Sequence, residues 1–287
     1  MSENILTSIH NKMHTFSKGQ KRIAAYILES YDKAAFLTAG VLGKTVQVSE
    51  STVVRFASEL GYDGYPEMQK ALQEIVLNRL TCVQRIGVGA ERIGQEDILS
   101  SVLQADGERI KKTDEEIDRT AFAGAVEALL DARRIYILGV RSSSALASFL
   151  NHYLNYIFDD IRLITLDSSS EVFERLVGIT PRDVLITISF PRYSSAAIQA
   201  AEYGHNAGAK TIALTDSPAS PMAKDADYLL TAHSDMVSLV DSLTAPLSVI
   251  NALIVAVASA RTEQTTGIFD KLEEIWDTYH VYEKVDE

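Results

Sequence analysis

The sequence contains little cysteine and no long apolar run. Cys82 is the only cysteine among 287 residues, which excludes an internal disulfide and a zinc site built from several cysteines. No apolar run reaches the roughly 18 residues that a membrane helix needs. The first residues, Met-Ser-Glu-Asn, lack the basic start and apolar stretch of a secretory signal. These absences predict a cytoplasmic protein without a membrane partner.

Positive charge is also scarce. The chain carries 27 Lys and Arg against 39 Asp and Glu, a formal net charge of −12, whereas proteins that bind nucleic acid neutralise phosphates with basic residues. The deficit is uneven, because residues 1–80 hold 9 basic and 8 acidic residues and the other 207 residues hold 18 and 31. A near-neutral N-terminal part is still compatible with a basic face.

The hydrophobic pattern divides the chain. Residues 1–80 place apolar side chains at helical spacing and predict an all-helical domain, in which Ser17 and Gln20 fit a capping box at one helix start. Residues 81–97 contain three glycines and little periodicity, so we interpret them as a linker. Residues 98–287 then form the second domain.

From about residue 134, short apolar runs alternate with segments of helix length. This alternation predicts a mostly parallel sheet with helices on both faces. Two helices, at about 98–116 and 120–131, precede the sheet, and a long apolar helix (about 241–260) and a polar tail with Trp276 follow it. The predicted strands are 135–138, 161–166, 184–188, 211–215 and 228–230. The fold class is therefore an all-helical domain followed by a three-layer α/β/α domain with a five-stranded parallel sheet.

Residues 42–61 fit two helices joined by a tight turn. Gly43 supplies a small residue where the helices cross, Val48 fills the interface, and Ser49 caps the second helix. The predicted inward face of that helix consists of Val53, Phe56, Ala57 and Leu60. Two helices joined in this way can form a helix-turn-helix that binds DNA. The same spacing also fits an amphipathic pair of helices without a role in DNA binding, so the pattern alone leaves both interpretations open.

The run Val-Ser-Glu-Ser-Thr-Val-Val-Arg-Phe at 48–56, followed by Glu-Leu-Gly-Tyr-Asp-Gly-Tyr at 59–65, resembles the winged-helix-type DNA-binding domain of the RpiR family of bacterial regulators. Where that family usually has Ala-Gly in the turn, this chain has Val46 and Gln47, and a left-handed glutamine costs about 1 kcal/mol relative to glycine. The resemblance implies operator DNA as a partner, contacted near the start of the second helix. The predicted DNA-binding residues are Lys44, Gln47, Ser49, Ser51, Thr52 and Arg55.

Two predicted strands end in loops of small and hydroxyl residues that lead into helices. The first loop is Gly-Val-Arg-Ser-Ser-Ser at 139–144, and the second is Ser-Phe-Pro-Arg-Tyr-Ser-Ser at 189–195. Backbone N–H groups, the helix dipole and hydroxyls at such a place favour an anion, and two such loops of one parallel sheet converge on one crevice. Serine is also an ordinary helix N-cap, so either run alone fits capping as well.

These loops resemble the SIS (sugar isomerase) domain, a flavodoxin-like fold that forms the C-terminal half of RpiR regulators. Ser143 matches the serine of the family's first loop, and Ser189 and Ser194 match the first and last hydroxyls of the second, Ser-x-Ser-Gly-x-Thr. Pro191 and Arg192 replace its middle Ser-Gly, which removes a hydroxyl and adds a guanidinium that can pair with phosphate. The implied ligand is a phosphorylated sugar that modulates DNA affinity. The predicted phosphosugar-binding residues are Ser142, Ser143, Ser189, Arg192, Ser194 and Ser195.

Assembly follows from the same resemblance. Helix-turn-helix proteins usually read two half-sites, which favours two-fold symmetry. The SIS resemblance implies dimerisation through the C-terminal domain, so a homodimer, or a tetramer on DNA, is expected. The two resemblances cover roughly residues 1–80 and 120–260, in the family's order.

Other functions fit the sequence less well. A dinucleotide site needs Gly-x-Gly-x-x-Gly, which the first loop lacks, although Asp167 follows the second strand as a ribose-binding acid would. A sugar-phosphate isomerase needs an acid and a base, and the available side chains are Glu171, Glu174, Glu202 and His205. None of them lies in a catalytic motif, so we predict a regulator without enzymatic activity or a cofactor. His10 and His14 share a helical spacing without a third ligand, and no metal site is predicted.

Overall fold

The computed structural model describes residues 5–79, 97–165, 171–235 and 240–282. The chain divides into two compact units, Met1–Gly87 and Val88–Glu287. This division falls within the predicted linker, which lies outside the described residues except for its last position. The domain limits of 80 and 98 therefore remain predictions.

The described residues of the first unit are helical, as predicted. Its helices are α1 (Ile5–Lys12), α2 (Lys18–Glu29), α3 (Tyr31–Ala34), α4 (Ala39–Thr45), α5 (Glu50–Glu59) and α6 (Tyr65–Arg79). The capping box at α2 is confirmed, because the Ser17 hydroxyl accepts from the Gln20 N–H and the Gln20 side chain accepts from the Ser17 N–H at 2.9 Å. Apolar side chains from the helices form the core, among them Ile23, Ile27, Leu42, Phe56, Met68 and Leu72, all at 0% exposure.

The second unit alternates strands and helices. Its strands are β1 (Arg134–Gly139), β2 (Ile161–Ile164), β3 (Asp183–Ile188), β4 (Lys210–Thr215) and β5 (Tyr228–Thr231). Its helices are α7 (Ile98–Glu116), α8 (Arg119–Asp131), α9 (Ser143–Leu154), α10 (Glu171–Leu176), α11 (Ser195–Asn206), α12 (Thr244–Ala260) and α13 (Thr262–Thr278), with a 3-10 turn at Ala223–Asp225. The predicted five strands are confirmed, although the second ends at Ile164.

The five strands form one parallel sheet in the order β2-β1-β3-β4-β5. Helices α8, α9 and α12 pack on one face of the sheet, and α10 and α11 pack on the other. Every residue of β3 is buried, as expected of a central strand covered on both faces. The predicted three-layer α/β/α architecture is confirmed.

One prediction about the C-terminal part was wrong. The segment with Trp276 was expected to be a polar tail, but it forms α13, a helix whose every residue is at least partly exposed. Its apolar side chains recur at helical spacing among many acidic ones, and this mixture hid the helix. Within the described ranges no single helix is long and apolar enough to cross a membrane, while α12 and α13 reach that length and hydropathy only as a pair bent by 98°.

Candidate functional site

A tight turn joins α4 to α5 in the first unit. A Cβ on Gly43 would lie 2.9 Å from the carbonyl oxygen of Val48, so a larger residue would separate the two helices. Gln47 has a φ of 55°, the left-handed conformation that the sequence analysis assigned to the turn. Ser49 caps α5, since its hydroxyl accepts from the Thr52 N–H at 3.3 Å. These contacts confirm the predicted helix-turn-helix geometry.

Helix α5 has a buried apolar face and an exposed polar one. Its fully buried side chains are Val53, Phe56 and Ala57. Leu60, which was also predicted to face inward, is half-buried, and Arg55 is exposed with its Nε donating to the Ser51 carbonyl at 3.2 Å. Thr52 is half-buried. The other predicted DNA-binding residues are exposed, and they are Lys44, Gln47, Ser49, Ser51 and Arg55.

Helix α2 lies against the start of α5, a contact that the sequence analysis missed. A Cβ on Gly19 would lie 3.5 Å from side-chain atoms of both Val48 and Thr52. The exposed Arg22, one turn further along α2, donates from Nη2 to the carbonyl oxygen of Gln47 at 2.7 Å. A guanidinium from a distant helix therefore lies at the turn, beside the predicted DNA-binding residues.

In the second unit, the strand order reverses direction between β1 and β3. The chain passes from β1 to β2 on one side and then crosses to β3 on the other. Gly139, the last residue of β1, pairs with Ile188, the last residue of β3. Since paired strands lie about 5 Å apart, the two predicted loops start side by side. Ligands of open parallel sheets bind at such a reversal, beyond the carboxyl ends of the strands.

The first loop is held closely against the start of α9. A Cβ on Gly139 would lie 2.3 Å from the carbonyl oxygen of Ser143 and 2.9 Å from the Cβ of Ala147, so this contact requires glycine. Ser143 is 4% exposed. Arg141 is exposed in the left-handed region, with a φ of 58°, and its carbonyl accepts the Ser144 hydroxyl at 2.6 Å. The sequence analysis did not include Arg141, although a guanidinium in an anion-binding loop was a usable signal.

The second loop is closed by its first serine. Ser189 is 4% exposed, and its hydroxyl oxygen accepts from the Ser194 N–H at 3.0 Å. Its hydroxyl hydrogen is thus directed away from that bond and can be donated to another acceptor. Arg192 and Ser195 are exposed, and Ser194 is half-buried.

Three hydroxyl residues of the first unit cap the helix that follows them, whereas Ser30, before α3, makes no such bond. Ser17, Thr38 and Ser49 each cap the helix that follows, because the side chain accepts a backbone N–H of the first turn. Ser142 and Ser194 precede α9 and α11, and neither side chain makes such a bond in the described structure. An ordinary capping role therefore does not explain these two serines.

A third loop, which the sequence analysis missed, follows β4 beside the second loop. The Ser189 N–H donates to the carbonyl oxygen of Leu214 in β4 at 3.1 Å. The hydroxyl of Tyr193 donates to Oδ1 of Asp216 at 2.8 Å, and the hydroxyl of Thr215 donates to the same oxygen at 3.1 Å. The second and third loops are therefore joined through the Asp216 carboxylate.

The environment of Asp216 disfavours its ionised form. Burial raises the pKa of the Asp216 carboxyl above its ordinary value, and the negative charge of Asp235, which follows β5, acts in the same direction. Hydrogen bonds from Tyr193 and Thr215 oppose this shift without cancelling it. A carboxylate with a raised pKa at the edge of a ligand crevice is a candidate functional group.

A cavity of about 270 Å³ lies on the β2 side of the first loop. It is lined by Gly139, Val140, Arg141, Ser144, Ser148, Leu163, Ile164 and Thr165. None of the six predicted phosphosugar-binding residues lines this cavity. The cavity is lined instead by Arg141, Ser144 and Ser148 of the first loop and α9, together with the end of β2.

Two of the side chains considered for isomerase chemistry lie away from the loops. Glu202 and His205 are exposed and lie about 10 and 15 Å along α11 from its first residue. Glu171 is half-buried and Glu174 is exposed, both on α10. In the part of the chain that the structure describes, no group of three or more His, Cys, Asp or Glu is placed to hold a metal ion. Cys82 and Asp167 lie outside the described residues.

Comparison with protein families separates the same two parts of the chain. Residues 3–78 match the family model described as a helix-turn-helix domain of the rpiR family. Residues 128–256 match the model described as a SIS domain. The first match contains the turn and α5, and the second contains the three loops at the carboxyl edge of the sheet.

Individual proteins resemble most of the chain. An uncharacterized HTH-type transcriptional regulator of Haemophilus influenzae is 28% identical over 80% of this chain and 80% of its own. The sugar isomerase domain of an RpiR transcription factor from Sphaerobacter thermophilus is 28% identical, with a TM-score of 0.59 over 62% of this chain and 99% of that one. The Vibrio vulnificus NanR protein, solved in complex with ManNAc-6P, is 22% identical, with a TM-score of 0.59 over 96% and 99% of the two chains, and shares the fold.

Proposed function

The chain belongs to the RpiR family, with a helix-turn-helix domain followed by a SIS domain, and from this premise we propose that it is a transcription regulator controlled by a phosphorylated sugar. The first unit binds operator DNA. The second unit binds the sugar phosphate between its first and second loops. Binding of the sugar phosphate changes the affinity of the protein for DNA. This function requires the cytoplasm, because bacterial DNA lies there.

The observation that carries the sugar-phosphate proposal is the pair of helix starts at Ser142 and Ser194. Their side chains do not cap their own helices, and the strands before them are neighbours at the reversal of the sheet. Two helix N-termini with N–H groups and hydroxyls directed to one crevice stabilise an anion such as phosphate. We assign phosphate contacts to Ser142, Ser143, Ser189, Arg192, Ser194 and Ser195, with Arg141 as an added candidate.

The DNA-binding proposal rests on the exposed face of α5. Arg55 and Ser51 are exposed on the side of the helix opposite its buried residues, where they can reach base edges or phosphates in a major groove. Arg22 lies at the turn and adds a phosphate contact from α2. The solved complex of NanR with ManNAc-6P supports a sugar phosphate as the class of effector.

The decisive experiment measures ligand and DNA binding in the same variants. Ser143→Ala and Ser189→Ala each remove a hydroxyl donor to an anion, so calorimetry with a panel of sugar phosphates should show about tenfold weaker binding. DNA affinity without ligand should stay within about twofold in gel shifts, because the two sites lie in separate units. Ser259→Ala, an exposed serine at the far end of α12, is the matched control. Unchanged ligand affinity in both loop variants would refute the site.

We propose that the protein is not an enzyme. Its relatives are named as transcription regulators, and Glu202 and His205, the pair on α11, lie far along that helix from the loops. A turnover assay with each sugar phosphate that binds should therefore show no aldose–ketose conversion. Conversion that is lost in Glu202→Gln or Glu171→Gln would favour the isomerase alternative.

The assembly is proposed to be a homodimer, with a tetramer on DNA. Two helix-turn-helix motifs are needed to read two half-sites of an operator, and we assign the dimer contact to the C-terminal domain because the resemblance to the family implies it. Light scattering of the full chain should give at least twice the 31.5 kDa of one chain. A clean monomer at micromolar concentration would contradict this assembly.

A further inference from the structure

A carboxylate borders the proposed phosphate site without belonging to the phosphate-binding residues. Asp216 follows β4, next to the strand that leads into the second loop. Tyr193, which lies between Arg192 and Ser194 in that loop, donates its hydroxyl to Asp216 Oδ1 at 2.8 Å. This bond ties Asp216 to the second loop, so the carboxylate lies beside that loop at the carboxyl edge of the sheet.

The side-chain donors that the described structure gives to Asp216 are neutral hydroxyls, those of Tyr193 and Thr215. These bonds leave the formal charge of the carboxylate in place. A carboxylate has about four lone-pair positions, and the two hydroxyls and the residue's own N–H use three of them. Asp216 is only half-buried, so a hydroxyl group of a ligand can reach the remaining position.

A second acidic residue, Asp235, acts on the Asp216 carboxyl through its charge. Asp235 follows β5 and is exposed, and its charge, together with burial, raises the pKa of the Asp216 carboxyl. A further anionic group brought to this place would be repelled by both carboxylates. At a partly buried site, repulsion between charges a few ångströms apart changes affinity by about tenfold or more.

We infer that Asp216 determines the specificity of the crevice: it accepts a hydrogen bond from a hydroxyl group of a neutral sugar phosphate and rejects phosphorylated sugar acids. The inference rests on the proposed function, since the loops must first hold the phosphate. Arg192 is assigned to the phosphate end, and Asp216 then contacts the remainder of the ligand. The chemical class of effector is thus a polyhydroxyl phosphate with no other anionic group.

The test compares ligands that differ in one group. Sorbitol 6-phosphate and 6-phosphogluconate are both open chains, and the first has a hydroxymethyl group where the second has a carboxylate. Ribitol 5-phosphate and 5-phosphoribonate differ in the same way and have five carbons. Calorimetry on the full chain at pH 7.5 should show at least one neutral member binding about tenfold or more tightly than its acid.

Variants then assign the selectivity to Asp216. Asp216→Asn keeps a hydrogen-bond acceptor and removes the charge, so the affinity for the acid should rise and the neutral-to-acid ratio should fall at least threefold. Asp235→Asn, at an exposed position, should lower the ratio by a smaller factor. Asp131→Asn changes the net charge equally at an exposed position on α8 and should leave the ratio unchanged.

Each result decides between outcomes. The specificity inference would be overturned by equal affinities in the wild type, by tighter binding of the acids, or by a neutral-to-acid affinity ratio that neither Asp216→Asn nor Asp235→Asn alters. In each of these cases, the loss of binding in Ser143→Ala would still support the phosphate site. No binding of any of the four compounds would overturn the specificity inference by excluding its ligand class. Binding that persists in both Ser143→Ala and Ser189→Ala would overturn the proposed function instead.

Discussion

Ser242 donates its hydroxyl to Asp106 at 2.6 Å, although the two residues are 136 positions apart in the chain. The other carboxylate oxygen accepts the Thr244 hydroxyl at 3.0 Å, and the first oxygen also pairs with Arg109 at 3.2 Å. Arg109 is 9% exposed. Asp106 therefore joins α7 to the start of α12 and neutralises a buried guanidinium.

Removal of this carboxylate should destabilise the second unit. Asp106→Ala leaves Arg109 buried without its ion-pair partner, which we expect to lower the free energy of unfolding by about 3 kcal/mol. Urea denaturation measures this loss. The control is Asp114→Ala, which breaks the exposed pair with Arg119 and should cost well under about 1 kcal/mol. Similar losses in the two variants would contradict the structural role of Asp106.

Gly139→Ala should disrupt the first loop. The added Cβ would lie 2.3 Å from the carbonyl oxygen of Ser143, so the first turn of α9 must shift and carry that serine with it. Sugar-phosphate affinity should fall by at least about tenfold, because hydrogen bonds to an anion depend on donor position. Gly107→Ala on α7, where a Cβ meets nothing within 4 Å, should retain full binding and gain about 0.5–1 kcal/mol of stability. Normal binding by Gly139→Ala would argue against the loop geometry.

Arg55→Ala should weaken operator binding without unfolding the protein. Its side chain is exposed on the outer face of α5, and one lost DNA contact costs about 1–3 kcal/mol. Gel shifts at fixed salt measure the effect. Val53→Asp, at a position with 0% exposure, should instead abolish folding. Unchanged DNA affinity in Arg55→Ala would show that the recognition face was assigned to the wrong residues.

Asp183 should make stability depend on pH in the acidic range. Burial acts to raise its pKa, but hydrogen bonds from Arg133 at 2.8 and 2.7 Å and from Thr180 hold the pKa of the Asp183 carboxyl below its ordinary value of 3.8. A carboxyl group whose pKa is lower in the folded than in the unfolded protein stabilises the native state at pH values above the unfolded pKa. This stabilisation is lost as the pH falls from the unfolded pKa through the folded one.

Asp183→Asn should therefore be clearly less stable than the wild type at pH 7, and the difference should narrow below about pH 4. Thermal melting at both pH values measures it. Asp183 begins β3 at the amino edge of the sheet, opposite the loops, so ligand affinity at pH 7 should be unchanged. A stability difference that is constant with pH would mean that the carboxylate charge is not the cause.

The local structure around the candidate sites was predictable because short stretches of chain decide it. Ser17, Gln20 and Ser49 cap helices through bonds that span three residues, and Gln47 adopts the left-handed conformation that the turn requires. The alternation of apolar runs and helical segments led to five parallel strands with helices on both faces. These features depend on spacing and on backbone preference, both of which are present in the sequence.

The missed residues owe their positions to contacts between distant parts of the chain. Arg22 reaches the turn only because α2 crosses the start of α5 at Gly19. Asp216 borders the crevice only because β4 pairs with β3 and brings the third loop beside Tyr193. Helix α13 escaped prediction because its apolar side chains are spread among acidic ones and none is buried.

The sequence by itself determined the two-domain order, the helix-turn-helix, the parallel sheet and the two serine loops, because each is encoded by residues that are neighbours in the chain. Only the tertiary structure decided that the Ser142 and Ser194 side chains leave their helix starts uncapped, and that Asp216 lies beside the second loop. The physical reason is that a hydrogen-bond partner and a local charge environment are set by which surfaces pack together, and spacing along the chain does not specify that packing.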